Sequence, residues 1–360
     1  MGWRKRPFWR PKRARSGVLQ PVIAIMKVLY HLPVLPPKLP GAEALSQEIH
    51  VLQKAFAGQI NFINPNQQSP VYIPRLLFGM HQLRRLWQME AAFDLHHFYN
   101  PDPFPYPILR LLRKPVVYSI SSGLGEKRPF LPYFRRLAAV TVYDERSLKK
   151  LQDWGLTNAY RVQSGIDTAC FTHTPQPLDG AIRLLVASAP WTPAQFKTKG
   201  IDALLAAAQQ MPSLRLLFLW RGVLADVMMQ RVQQAGLADR AQVINELVDV
   251  NEMLATVHGT VNLAMDTAVI KAYPHSLLDS LAAGKPVITS RAITMSDYVD
   301  KTGCGVVVES ISAKALVAAI KQFEENYAEL VKTAVAVGQR DFTLQKMIDS
   351  WRIVYQSVQK

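Results

Sequence analysis

The chain has 360 residues, room for two domains of about 150 residues each. Nearly half of those residues are apolar, which excludes a disordered polymer, and two cysteines, Cys170 and Cys304, exclude a disulfide framework and point to a reducing compartment. The net charge of +15 is uneven: residues 1–171 hold 24 Lys and Arg against 10 Asp and Glu, and residues 172–360 hold 18 against 17. Such asymmetry points to an anionic partner met by the first half alone: an acidic membrane leaflet, an anionic acceptor or nucleic acid.

Residues 1–20 read as a basic aromatic tail. Trp3, Arg4, Arg6 and Trp9 stand among seven basic residues with no acid in the first sixteen. Arginine beside tryptophan suits a lipid headgroup region, and each basic residue near an anionic leaflet contributes about 1 kcal/mol. A soluble basic tail without a partner is the alternative. Gly2 lacks the Ser or Thr at the sixth position that myristoylation needs. Residues 17–35 are apolar, but Pro21, Lys27 and Pro33 interrupt them, so a buried strand fits better than a membrane span.

From there strand and helix patterns alternate. Strands are expected at 26–34, 59–64, 93–101, 115–121 and 137–144, with helices at 41–56, 72–93 and 147–156, and residues 159–167 close the first half. The 72–93 helix is read as amphipathic, with Leu76, Leu77, Met80, Leu83 and Trp87 on one face. Residues 172–180 lie in a Thr, Pro and Gly-rich linker. A second series follows, with strands at 182–190, 214–220, 241–247, 260–265 and after Gly284, and helices at 200–211, 223–237, 250–259, 313–327 and 342–358. Alternation at this spacing predicts an α/β chain with two Rossmann-like doubly wound domains, residues 21–171 and 181–338, facing a cleft. Residues 339–360 are expected to form a helix packing back toward the first domain. His96 and His97 are adjacent and, on a strand, face opposite ways.

The most informative stretch is Lys271 to Ser290, KAYPHSLLDSLAAGKPVITS. It reads as a turn, a short helix carrying Asp279, a Gly-Lys-Pro corner and a buried strand. A helix start offers unpaired backbone N–H groups and the positive end of its dipole, which together suit a phosphate. A carboxylate nearby suits sugar hydroxyls, so the pair implies a nucleotide or a nucleotide-sugar.

This stretch resembles the donor-binding signature of glycosyltransferase family 4, through Pro274, Ser276, Leu277, Leu278, Ala282, Gly284, Pro286, Val287 and Ile288. Two further stretches are similar to the family: Lys199-Gly200 with the helix after it, and Ser164-Gly165-Ile166-Asp167 with Phe171. The resemblance implies the GT-B fold and a retaining sugar transfer from a nucleotide-sugar, most simply a UDP-sugar, with no further cofactor. It implies that Lys199 and Gly200 meet the donor diphosphate, that Ser276 and Leu277 offer N–H groups to the β-phosphate, and that Asp279 binds the ribose. Gly41 would let the backbone approach the phosphate. Ser164 to Asp167 would set interdomain geometry, and Asp297 loosely matches an acidic position after the last donor loop.

Three positions depart from the family pattern. Ala194 replaces an arginine, for which Lys197 could substitute; Ser121 replaces a histidine near the acceptor; and Lys271 replaces the glutamate that touches the transferred sugar. Lys271 could pair with an anionic sugar such as a uronic acid, neutralise the leaving diphosphate, or mark lost donor binding. The family is thought to work by front-face displacement without an enzymic nucleophile, so no catalytic residue is assigned. The protein would contribute positioning and stabilisation of the leaving diphosphate. No paired-carboxylate site is evident and no metal is implied.

The basic surface of the first half, with Arg84, Arg85, Arg135 and Arg136, is expected to meet an anionic membrane surface and a lipid-linked or glycan acceptor. That places the protein in the cytoplasm, peripheral on the inner membrane face, in cell-surface polysaccharide biosynthesis. The chain carries no recognisable nucleic-acid-binding module, which disfavours that partner. A non-catalytic relative acting as scaffold or regulatory partner in a glycan assembly complex is the alternative function.

Overall fold

The computed structural model describes residues 26–36, 44–220, 224–267 and 270–359. Within them two six-stranded sheets, parallel throughout, follow one another along the chain.

The first sheet has the order β2-β1-β3-β4-β5-β6. Its strands are β1 (Val28–Leu32), β2 (Gln59–Phe62), β3 (Leu95–Asn100), β4 (Val116–Ile120), β5 (Ala139–Val142) and β6 (Ala159–Arg161). Helices α1 (Ala44–Ala55), α2 (Leu83–Met89), α3 (Leu131–Phe134) and α4 (Glu145–Asp153) connect them. Strands β1, β3 and β4 are buried along their whole length, because helices cover both faces. One face packs Leu86 of α2, Phe134 of α3 and Leu151 of α4 against Phe98 and Tyr118. The other packs Ile49 and Leu52 of α1 against Val28, Tyr30 and Trp351.

The second sheet has the order β12-β11-β10-β7-β8-β9. It is built from β7 (Ile182–Val186), β8 (Leu214–Leu219), β9 (Ala241–Ile244), β10 (Gly259–Asn262), β11 (Val287–Ser290) and β12 (Gly305–Val308). Its helices are α5 (Gln195–Thr198), α6 (Ile201–Gln210), α7 (Ala225–Gln234), α8 (Val250–Ala255), α9 (His275–Ala282), α10 (Ser296–Thr302), α11 (Ala313–Glu325) and α12 (Tyr327–Asp341). One core lies among α5, α6, α7 and α11; a second joins α9, α10 and α12. Gly338 permits the α9–α12 contact, since a Cβ there would run into the Leu281 carbonyl.

The last helix, α13 (Leu344–Ser357), leaves the second domain and packs on the first sheet. Trp351 and Tyr355 are fully buried there, and the Tyr355 hydroxyl lies 2.5 Å from His97 Nδ1. Gly165 lets the chain cross this helix start closely. A Cβ at Gly165 would lie 2.7 Å from the Thr343 carbonyl oxygen, and Ile166 N–H donates to the Phe342 carbonyl at 2.9 Å. Residues 172–180 run along α8 and α9, tied by the ammonium of Lys285, which donates to the Thr174 carbonyl at 2.6 Å.

The continuous helix expected over 72–93 is corrected by the structure. Short 3-10 turns at Arg75–Leu77 and Met80–Gln82 precede α2, and another at Glu90–Ala92 follows it. Gly79 breaks the helix at φ 81°, and the Arg75 side chain turns inward to Asp102, Asn100 and Tyr106. Leu76, Leu77 and Met80, expected on a buried face, are exposed. Elements absent from the expected pattern include α3, α5, α10, β12 and α12. Among the described residues no helix is long and apolar enough to cross a membrane.

Candidate functional site

In parallel sheets the loops after the strands gather at the carboxyl ends, where ligands bind. Here the two sets of loops touch. Lys271, between β10 and α9, forms an isolated antiparallel bridge with Ser122, beyond β4, and Ala272 N–H donates to the Ser121 carbonyl at 3.1 Å. Ser121, where the family has a histidine, thus offers its backbone to the domain contact.

Lys199 stands where α5 ends and α6 has not begun. Gly200 makes the corner at φ 67°, in the left-handed region that glycine enters without a Cβ penalty. A Cβ there would also lie 2.9 Å from Leu263 Cδ1 and 3.1 Å from Ile311 Cγ2. The corner is tied to the loop after β10, because Met265 N–H donates to the Thr198 carbonyl at 2.8 Å. It turns the Lys199 side chain back toward the end of β7, where Nζ donates to Ser188 Oγ at 3.0 Å and the Ala189 carbonyl at 3.2 Å. Both partners are uncharged, and burial pushes the Lys199 ammonium down to about 8. A buried cation among neutral acceptors is a place for an anion.

Helix α9 starts at His275 after Pro274, which presets the entry. Its buried face is Leu277, Leu278 and Leu281; Ser276 and Asp279, three residues apart, share its half-buried face. Ser276 Oγ accepts from Asn262 Nδ2 at 3.0 Å, which fixes the first turn to the end of β10. The Leu277 amide donates to the Pro274 carbonyl at 3.0 Å. Burial pushes the Cys170 thiol up to about 11, and the hydrogen bond and charge of Asp167 and the charges of Asp249 and Asp279 add to that. Lys199, Gly200, Ser276 and Asp279 therefore stand on loops and helices that follow the adjacent central strands β7 and β10.

Lys271 has a partner that the sequence pattern does not reveal. Its ammonium donates to Glu48 Oε2 at 2.7 Å, and Glu48 belongs to α1 of the other domain. Glu48 is fully buried; its Oε1 accepts from the Tyr143 hydroxyl at 2.5 Å and from the Tyr99 hydroxyl at 3.3 Å. One signal was available, because Glu48 lies between Ala44 and Leu52 on the apolar stripe of α1, where a charge demands a partner.

The other candidate positions are scattered. Asp297 ties α10 to the first domain: Arg146 of α4 donates to its carboxylate, to Ser296 Oγ at 3.0 Å and to the Arg291 carbonyl at 2.8 Å. Arg84 and Arg85 are exposed on α2, as is Arg136 beyond α3, while Arg135 donates to the Gly155 carbonyl at 3.1 Å. Trp3, Arg4, Arg6, Trp9 and Gly41 lie outside the described residues. Among the described residues no three His, Cys, Asp or Glu side chains could hold a metal ion.

The whole arrangement is similar to solved structures of sugar-handling enzymes. Sucrose-phosphate synthase from Thermosynechococcus elongatus superposes with a TM-score of 0.70 at 15% identity, over 92% of this chain and 99% of that one. A glycosyltransferase from Rickettsia africae gives 0.72 at 13% identity, over 94% and 100%. The Anabaena HepE protein in complex with UDP and glucose gives 0.66 at 13% identity, over 92% and 100%. A search of curated proteins finds no match. Residues 193–340, which carry Lys199, Gly200, Lys271, Ser276 and Asp279, match the family model described as Glycosyl transferases group 1. The chain thus has the two-domain α/β fold of GT-B glycosyltransferases, and the match of its second half supports sugar transfer.

Proposed function

We propose that the protein is a retaining, hexosyltransferase-type enzyme that moves a sugar from a UDP-sugar to a lipid-linked or glycan acceptor in cell-surface polysaccharide synthesis. The observation that carries this reading is Lys199, a buried ammonium with neutral partners at the end of β7, the strand next to β10, whose end anchors the first turn of α9. The diphosphate would be held between that ammonium and the N-terminus of α9, whose dipole favours negative charge. Asp279, one turn along the same face, would accept from the ribose hydroxyls. Charge builds on the diphosphate as the sugar leaves, so an ammonium already desolvated beside it stabilises the transition state more than the ground state. The solved Anabaena neighbour holds UDP and glucose, which supports a uridine nucleotide.

The acceptor is proposed to reach the site from an anionic membrane surface on the cytoplasmic side. Exposed Arg84, Arg85 and Arg136 support that placement, together with the charge excess of the first half. Sedimentation with liposomes tests it: binding only when anionic lipid is present is expected, and indifference to lipid removes the membrane from the proposal.

Calorimetry with UDP, followed by a hydrolysis assay over a panel of UDP-hexoses, tests the central reading. UDP binding and slow release of one sugar are expected. A second reading, a non-catalytic relative serving as a scaffold, is favoured by one observation: Lys271, clamped by Glu48, offers a sugar no carboxylate. UDP binding without turnover of any donor selects that reading; absence of UDP binding removes the donor site itself.

A further inference from the structure

Glu48 has features of a residue placed for a purpose. It is a carboxylate on the apolar stripe of a helix, fully buried, and satisfied entirely by groups around the domain boundary. Tyr99 and Tyr143 donate to one oxygen, Lys271 donates to the other, and His275 Nε2 of the first α9 turn lies 3.9 Å from it. Burial holds both tyrosine hydroxyls protonated far into the alkaline range, so they remain donors. Gln47, beside Glu48 on α1, lies 3.4 Å from His275 Nδ1. Two consecutive side chains of α1 thus hold Lys271 and the start of α9.

Lys271 is the member of this pair that a ligand can reach. Its side chain keeps 17% of its surface open, whereas that of Glu48 keeps none. An isolated ammonium beyond the carboxyl ends of β4 and β10 would attract any anionic group entering there. An ammonium with a carboxylate 2.7 Å behind it does so far less, because the two charges cancel within a few ångströms.

We infer that Glu48 is a specificity-determining positioning residue: Lys271 lies ahead of the α9 N-terminus, away from Asp279 and so where the sugar beyond the diphosphate would sit, and by pairing with it Glu48 makes that end of the site electrically neutral, so that the transferred sugar is uncharged. This rests on the donor-site reading above. The ammonium retains donors for sugar hydroxyls, while Glu48 withholds the net positive charge that would favour a uronic acid.

Calorimetry on the full chain with UDP, UDP-glucose and UDP-glucuronic acid tests this. Wild type is expected to bind the neutral sugar nucleotide at least as tightly as the anionic one. E48Q leaves Lys271 unpaired and is expected to shift the affinity ratio of UDP-glucuronic acid to UDP-glucose at least tenfold toward UDP-glucuronic acid, the ratio being the readout whatever the change in affinity for UDP itself. The E48Q/K271M double variant removes the ammonium and is expected to return the ratio to the wild-type side, which a merely structural role of Glu48 would not do. A wild-type preference for UDP-glucuronic acid overturns the inference without any variant. A ratio unchanged within twofold in folded E48Q, with UDP still bound, also overturns it while leaving the donor-site reading intact. If no protein of the set binds UDP, the donor-site reading fails and the inference with it.

Discussion

The Lys199 ammonium donates to the Ser188 hydroxyl at 3.0 Å from a buried position beside the end of β7. Burial lowers its affinity for the proton to about 8, and only the protonated form attracts a diphosphate. Well below that pH the free protein already carries the charge, so UDP affinity should fall by no more than about twofold between pH 7 and 8. Above it the free lysine loses its proton, and affinity should fall by up to about tenfold per pH unit. Titration calorimetry from pH 7 to 9 measures this. In K199M the affinity should be weaker at pH 7 and the fall above pH 8 should vanish. A wild-type profile that stays level to pH 9 would remove Lys199 from the phosphate.

Gly338 and Gly200 place two elements of the proposed donor site by what they lack. An added Cβ at Gly338 would strike the Leu281 carbonyl on α9, and one at Gly200 would meet Leu263 and Ile311 from a backbone at φ 67°. Overpacking costs about 1–3 kcal/mol, and a left-handed alanine adds about 1 kcal/mol. G338A and G200A should each lose stability in that range, read as a lower urea midpoint. Because α9 or the Lys199 corner must shift, UDP affinity should fall as well. G236A supplies the control: it shares the left-handed backbone at φ 67°, but a Cβ there meets nothing within 4 Å. It should lose about 1 kcal/mol at most and bind UDP unchanged.

Much of this architecture was legible along the chain, and the failures have physical causes. Short apolar runs such as Ile182–Val186 and Val287–Ser290 are buried on both sides, which parallel sheets require. The boundary between α11 and α12 left no mark, because Asn326 alone closes one helix and opens the next without glycine or proline. Strand β12 hides behind Gly303 and Cys304, where a turn signal and a four-residue strand share one short stretch. The segment 72–93 misled for a different reason. Its spacing is helical, but Arg75 finds Asp102 and Tyr106 inside the domain, and that anchor with Gly79 outweighs helical propensity. Lys199, Ser276 and Asp279 stood out as candidates because each lies in a local pattern. Glu48 showed only as a charge on an apolar stripe, and its pairing did not show, since Lys271 is 223 residues away.

Acid should weaken the first domain before carboxylates titrate. His31 and His97 are fully buried, and burial drives both well below the ordinary histidine range. His31 Nε2 faces His96 Nδ1 at 2.9 Å, so the pair shares a single proton there, while His96 Nε2 faces Glu90 at 2.9 Å. The unfolded chain therefore binds more protons than the folded one below about pH 6.5, and stability rises with pH across that window. Lowering the pH from 7.5 to 5.5 should cost about 1.4 kcal/mol for each of His31 and His97. Urea unfolding at pH 7.5, 6.5 and 5.5, followed by tryptophan fluorescence, measures the loss. Constant midpoints over that range would show that these rings accept protons in the folded state.

Placing a glutamate at position 271, as the family 4 pattern would have it, should damage the protein. K271E would set a carboxylate against Glu48 Oε2, while Tyr99 and Tyr143 donate to Oε1 and offer nothing to the oxygen that Lys271 had paired. Breaking a buried ion pair by removing one partner costs about 3–5 kcal/mol, and a like charge in its place adds repulsion. The single variant should unfold at lower urea and lose the domain contact through Ser122 and Ala272. The E48K/K271E double variant reverses both charges and keeps the pair, so it should recover more than half of that stability. E48Q/K271E should recover part of it, since a carboxamide can donate to the new carboxylate. A double-mutant cycle on these proteins reads the coupling between the domains directly, and additive losses would show that Glu48 and Lys271 act independently.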